Sequence, residues 1–208
     1  AAHKKKPLTK EQKAHQLAQY DESIAYVDDL LQKLHAKLED AGRKQRWVVT
    51  ADHGEEFGER GSWGHAHTLY AEQLRVPLII SGEGLPAGKV VEKAVGIHDI
   101  ASTIASWVKQ AMPEADGIDL NPAMEGAEVP SRTFPAETFR FKTRRISLYE
   151  DGNRIEWDLV RDRKEVFETD IDMLETKNVA RKKPELVKQL AGRAEEVFGK
   201  PWVATADG

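Results

Sequence analysis

Between Gln19 and Asp40 apolar residues step by threes and fours, at Ile24, Val27, Leu31, Leu34 and Leu38. That spacing predicts a helix with one apolar stripe and a charged opposite face, closed by Gly42. A short β-branched run, RWVVTA (46–51), follows. It predicts a strand buried on both faces that ends at Asp52. The glycines from Gly54 to Gly64 predict a loop without regular structure. A helical turn is expected around Leu69–Leu74 and a second buried strand in VPLIIS (76–81). A further helix is expected over residues 97–108, where Ile97, Ile100, Ile104 and Val108 share a face. Helix, strand, strand, helix is the rhythm of an α/β layer sandwich.

The pattern changes after Met112. The stretch PEADGIDLNPAMEGAEVPS is rich in Pro, Gly and acidic residues and predicts a connecting loop. Beyond it lie four short strand candidates, Thr133–Thr138, Ile146–Tyr149, Arg154–Val160 and Glu165–Thr169. Asp151-Gly152 suits the positive φ angles of a tight hairpin between the second and third. An amphipathic helix is expected from Pro184 to Phe198. The organisation predicted is a polar lead-in (1–17), an α/β core (18–112), a connection (113–132) and a small antiparallel sheet with a C-terminal helix (133–208).

Composition narrows the function. A net charge of −4 and a pI near 6.0 leave no basic footprint, which argues against nucleic acid as a partner. No apolar run approaches the roughly 20 residues that cross a bilayer, so no membrane segment is expected in this sequence. With no cysteine there is no disulfide, thiolate ligand or cysteine nucleophile. No apolar signal-peptide core follows the lysine-rich start.

The candidate chemistry sits in ADHGEEFGERGSWGHAH (51–67), which holds three of the seven histidines. A buried strand that ends at Asp52 delivers Asp52 and His53 to the edge where open α/β sheets bind ligands. One hard oxygen beside one imidazole suits Zn²⁺ or Mn²⁺ and also serves at the edge of a Ca²⁺ site. Gly54 lets the backbone bend past the site. Two ligands hold a metal weakly, so others are needed. His65 and His67 are candidates as further ligands or as donors to a leaving oxygen. Glu55, Glu56 and Glu59 are expected to be solvated loop charges. His98 is expected at a helix start, and His35 at the surface or boundary.

These segments resemble the sulfatase family of the alkaline phosphatase superfamily. The likeness rests on YDESIAYVDDLLQKL, on VVTADHGEEFGERGSWGHAHTLYAEQLRVPLIISGEGLPAGK and on the later VGIHDIASTIASWV, ADGIDLNPAMEG, RTFPAET and EVFETDIDMLETKNVA. It covers roughly residues 18–198. It implies a partial three-layer α/β/α sandwich of the alkaline phosphatase type, followed by the small sheet and helix. It also implies hydrolysis of a sulfuric ester, with Asp52 and His53 as metal ligands, to Ca²⁺ first and to Mn²⁺ or Zn²⁺ as alternatives. His65, after Trp63-Gly64, would contact the sulfate and leaving oxygen, with His67 as the alternative. Arg75 would be structural. A phosphate or phosphonate ester hydrolase, or a phosphoethanolamine transferase, of the same superfamily is the nearest alternative. A non-catalytic metal- or partner-binding module is another.

The sequence departs from the family pattern at Ala71, where a glutamate is usual, and at Ser102, where a proline is usual. The family's Cys/Ser-x-Pro-x-Arg motif, source of its formylglycine nucleophile, is absent, as are two earlier metal-binding aspartates. The chain is therefore expected to be the C-terminal half of the fold, with the N-terminal half as its partner and little activity alone. The substrate implied is a sulfated or phosphorylated small molecule or glycan, in the periplasm or outside the cell.

Overall fold

A computed structural model describes residues 8–140 and 143–199. Helix α1 spans Lys10–Asp40 and so begins nine residues before the expected start at Gln19. Its start is a capping box. Thr9 accepts from the Gln12 amide at 3.2 Å, and Gln12 Oε1 accepts from the Thr9 amide at 2.9 Å, which satisfies two otherwise unpaired amides. Part of the expected lead-in is thus helical, while residues 1–7 lie outside the described part. Gly42, at φ +64°, closes the helix as expected.

Strand β1 (Arg46–Thr50) leads to a small hairpin of β2 (Glu56–Phe57) and β3 (Trp63–Gly64). The Gly54–Gly64 stretch is therefore partly ordered by pairing rather than wholly irregular. A short helix α2 (Ala71–Leu74) precedes β4 (Leu78–Gly82), which pairs antiparallel with β1, Val48 facing Ile80. Helix α3 (Asp99–Trp107) and the turn α4 (Asn121–Met124) follow, the latter inside the expected connecting loop.

The second part is a four-stranded antiparallel sheet in the order β5 (Thr133–Thr138), β6 (Arg145–Glu150), β7 (Asn153–Asp158), β8 (Arg163–Glu168). Asp151 and Gly152, at φ +47° and +71°, make the predicted tight turn between β6 and β7. Helix α5 (Pro184–Phe198) opens on a proline in its first turn, where a missing amide proton costs nothing. It lays Leu190 and Ala194 on Leu148, Ile155 and Val166, which align across three strands. These residues are buried to within 1% and form the main apolar core.

The first part is packed differently. Strands β1 and β4 were expected to be buried on both faces, yet no residue of either is fully buried, and Ile79 is 58% exposed. Two strands make an incomplete layer, and the described residues supply nothing to cover its second face. Helix α1 buries no residue, and its stripe lies open, with Ile24 54% and Val27 53% exposed. The architecture is α/β with a partial core layer, followed by the antiparallel sheet and its helix. No helix among the described residues is long and apolar enough to cross a membrane.

Candidate functional site

Strand β1 ends two residues before Asp52. The turn that follows is held by the Gly54 amide, which donates to the Gln73 carbonyl at 2.8 Å. The backbones approach so closely here that a Cβ at Gly54 would collide with the Glu72 carbonyl oxygen. Glycine is required at this position for contact, since its φ is not positive. The turn leaves Asp52 and His53 exposed beside each other, with Asp52 Oδ2 3.8 Å from His53 Nε2. His53 Nδ1 lies 2.9 Å from the Gly54 carbonyl. A carbonyl accepts only from N–H, so Nδ1 carries a proton, and in the neutral ring the lone pair lies on Nε2, the form a metal ligand needs.

The β2–β3 hairpin brings His65 back over His53. Their rings lie 4.3 Å apart, centroid to centroid, at a tilt of 34°. His65 Nδ1 is 3.0 Å from Glu55 Oε2, so Glu55 faces the site rather than bulk solvent. His67 lies elsewhere. Its Nδ1 contacts the His65 carbonyl at 3.0 Å, and its Nε2 lies 3.4 Å from Glu56 Oε2, near enough for ion pairing but not aligned as a hydrogen bond. Both of its nitrogens point inward.

Glu56 corrects the sequence reading most directly. Expected as a solvated charge, it is fully buried. Its Oε1 accepts from the Thr68 hydroxyl and from Gln73 Nε2, the latter at 2.9 Å. Gln73 Oε1 in turn accepts from the Ala66 amide at 2.8 Å. Ala66 adopts φ +69°, a left-handed conformation costly for alanine, between the two histidines. Nothing local announces this network, because Thr68 and Gln73 lie beyond the glycine loop. Glu59 is exposed as expected and accepts from the Phe57 amide at 2.6 Å. Arg75 is exposed and lies outside this group.

The polar face of the C-terminal sheet grips the far side of the loop. Arg154 pairs with buried Glu175 and also donates to the Leu69 carbonyl. Glu175 Oε2 accepts from the Ala71 amide at 2.9 Å, and Thr138 Oγ1 donates to the Ala66 carbonyl at 2.9 Å. Arg60 reaches from the loop to the carbonyls of Leu174 and Glu175, at 2.8 and 2.9 Å, and lies over the Tyr70 ring. Burial, then the neighbouring charges of Glu156 and Glu165, push the Tyr70 hydroxyl well above its usual pKa, so it stays a donor to Glu165.

Asp52, His53, Glu55 and His65 therefore form one solvent-facing group. The donor atoms of His53, Glu55 and His65 lie within 4.8 Å of one another. Such a group can hold a cation and place an imidazole proton beside a departing oxygen.

A low-salt glycan biosynthesis sulfotransferase of Haloferax volcanii is 39% identical over 90 residues, 40% of this chain and 22% of the relative. A choline-sulfatase of Rhizobium meliloti is 28% identical over 115 residues, 52% of this chain and 22% of the relative. A solved protein of Bacteroides thetaiotaomicron assigned as a sulfatase superposes with a TM-score of 0.73 at 23% identity, over 91% of this chain and 43% of that one. A phosphonate monoester hydrolase of Silicibacter pomeroyi gives 0.66 at 28% identity, over 83% and 38%. The chain thus spans less than half the length of each of these relatives. The Sulfatase family profile matches residues 1–110, more than half of the 208, and takes in the whole Asp52–His67 loop. With family profile, relatives and fold in agreement, the chain belongs to the sulfatase family.

Proposed function

We propose that the chain supplies the metal and leaving-group side of a sulfate monoester hydrolase. One observation carries the reading, the meeting of Asp52, His53 and His65 in an exposed group just beyond the end of β1. Asp52 and His53 would hold the cation, and His53 already has its Nε2 lone pair free for it. They are too few for Ca²⁺ alone, which takes six to eight oxygens, so further oxygens would come from the complementary half of the fold. A bound cation would neutralise charge on the sulfate oxygens.

His65 would serve the leaving oxygen. Glu55 accepts from its Nδ1–H, so Nε2 is the nitrogen left to face that oxygen, and it would donate there from the doubly protonated ring. His67, with both nitrogens turned inward, is the weaker candidate. The nucleophile would come from the complementary half, and the isolated chain would not turn over. A sulfated small molecule or glycan is the substrate class proposed, in an extracellular or periplasmic setting. The likeness to a phosphonate monoester hydrolase favours one second reading, with a phosphonate or phosphate ester in place of sulfate.

The test joins this chain to a nucleophile-bearing half. It compares His65→Ala and His67→Ala on an alkyl sulfate and a nitrophenyl sulfate. His65→Ala is expected to lose roughly 10²–10⁴-fold on the alkyl ester and far less on the nitrophenyl ester, whose leaving group needs no proton. Full activity of both variants on the alkyl ester would sink the acid role. Faster turnover of an aryl phosphonate than of the aryl sulfate would select the second reading.

A further inference from the structure

We infer that His53, Glu55 and His65 form a transition-metal site complete within this chain, suited to Zn²⁺ rather than Ca²⁺. The inference shares His53 with the hydrolase reading but stands without it. Among the described residues these three are the group whose donor atoms converge, all within 4.8 Å of one another. Two imidazoles and one carboxylate are a Zn²⁺ donor set, which leaves a fourth position open. They are a poor Ca²⁺ set, since that ion prefers oxygen throughout.

Three features independent of the clustering support the site. The Gly54 carbonyl fixes the His53 proton on Nδ1 and turns a lone pair outward on Nε2, as carbonyl-bound ligand histidines do. Asp52 Oδ2, 3.8 Å from His53 Nε2, stands beside the open position. Backbone anchors, the Gly54–Gln73 bond and the β2–β3 pairing, hold the two histidine-bearing segments together, so only exposed side chains need to move to close on an ion.

Occupancy would have a chemical consequence. With His53 Nε2 taken by this ion, the hydrolytic cation loses one of its two ligands in this chain. The ion would then be an alternative to the hydrolytic arrangement, and excess Zn²⁺ would suppress it.

The test is calorimetric titration of the 208-residue chain with Zn²⁺ and with Ca²⁺, repeated with Co²⁺ as a visible-absorption reporter of coordination. One Zn²⁺ per chain is expected, bound at least about tenfold more tightly than Ca²⁺, with a Co²⁺ spectrum of a four-coordinate site. Glu55→Gln and His65→Ala should each weaken Zn²⁺ by at least about tenfold, while Glu59→Gln should leave it unchanged. All three positions are on the loop surface, and circular dichroism checks that each variant is folded. Zn²⁺ binding no tighter than Ca²⁺, or binding that survives both ligand substitutions, would overturn the site. Neither result touches the leaving-group assay, which tests the hydrolase reading separately.

Discussion

Glu56 carries a carboxyl group into a position with no solvent contact, where an unpartnered polar group costs stability. Thr68 and Gln73 donate to its Oε1, and His67 Nε2 lies 3.4 Å from its Oε2. Through Gln73 it also fixes the Ala66 amide, and so the backbone that carries His65. Glu56→Ala should therefore destabilise the chain by on the order of 3 kcal/mol, since it strands several buried polar groups. Urea unfolding measures this, and a change under about 0.5 kcal/mol would place Glu56 among ordinary surface charges. Asp52, His53 and His65 stand out in the sequence by residue type, by their place after a strand and by the family resemblance, and the structure brings them close together. The sequence does not show Glu55 or Glu56, since a glutamate in a polar glycine loop carries no local sign of which side it faces. That is decided by partners such as Gln73, 17 residues on.

Elements were legible where periodicity was strong. Helix α5 matches its predicted bounds, and the Asp151-Gly152 turn sets the β6–β7 register. The start of α1 was missed because its first turns have no apolar stripe and rest on the Thr9–Gln12 capping box. Between elements, Asp99 is the main polar joint. Fully buried at the start of α3, it receives the Arg132 guanidinium just before β5, together with the amides of Gly96 and Ile118. Burial raises its pKa, but these hydrogen bonds outweigh it and hold the carboxyl below its usual range. A depressed acid pKa adds stability above the unfolded value, and that stability is lost as pH falls through the folded one. Asp99→Asn should thus lower the thermal midpoint at neutral pH. Its gap to the parent chain should narrow between about pH 5 and about pH 2. A gap constant across that range would mean that Asp99 is not a stabilising anion.

At the scale of the molecule, stability and chemistry are divided. The apolar core lies in the C-terminal sheet, and the candidate site lies on the incomplete α/β part. The prediction of buried strands failed because burial depends on neighbouring layers, and hydrophobic sequence states only that a layer is wanted. A complementary half would meet an uncovered apolar face in the open stripe of α1. The double substitution Val27→Asp with Leu34→Asp should abolish co-purification with that half and leave this chain's own circular dichroism unchanged, because both side chains are exposed. Undiminished association would assign the contact to another face. The Arg60, Arg154 and Thr138 clamps have a practical corollary for protein engineering. The loop is not a portable cassette. Residues 51–73 grafted onto a foreign α/β scaffold would keep their donors and lose part of their aim, because one of the two bonds that hold Ala66 beside His65 comes from a sheet encoded more than sixty residues downstream.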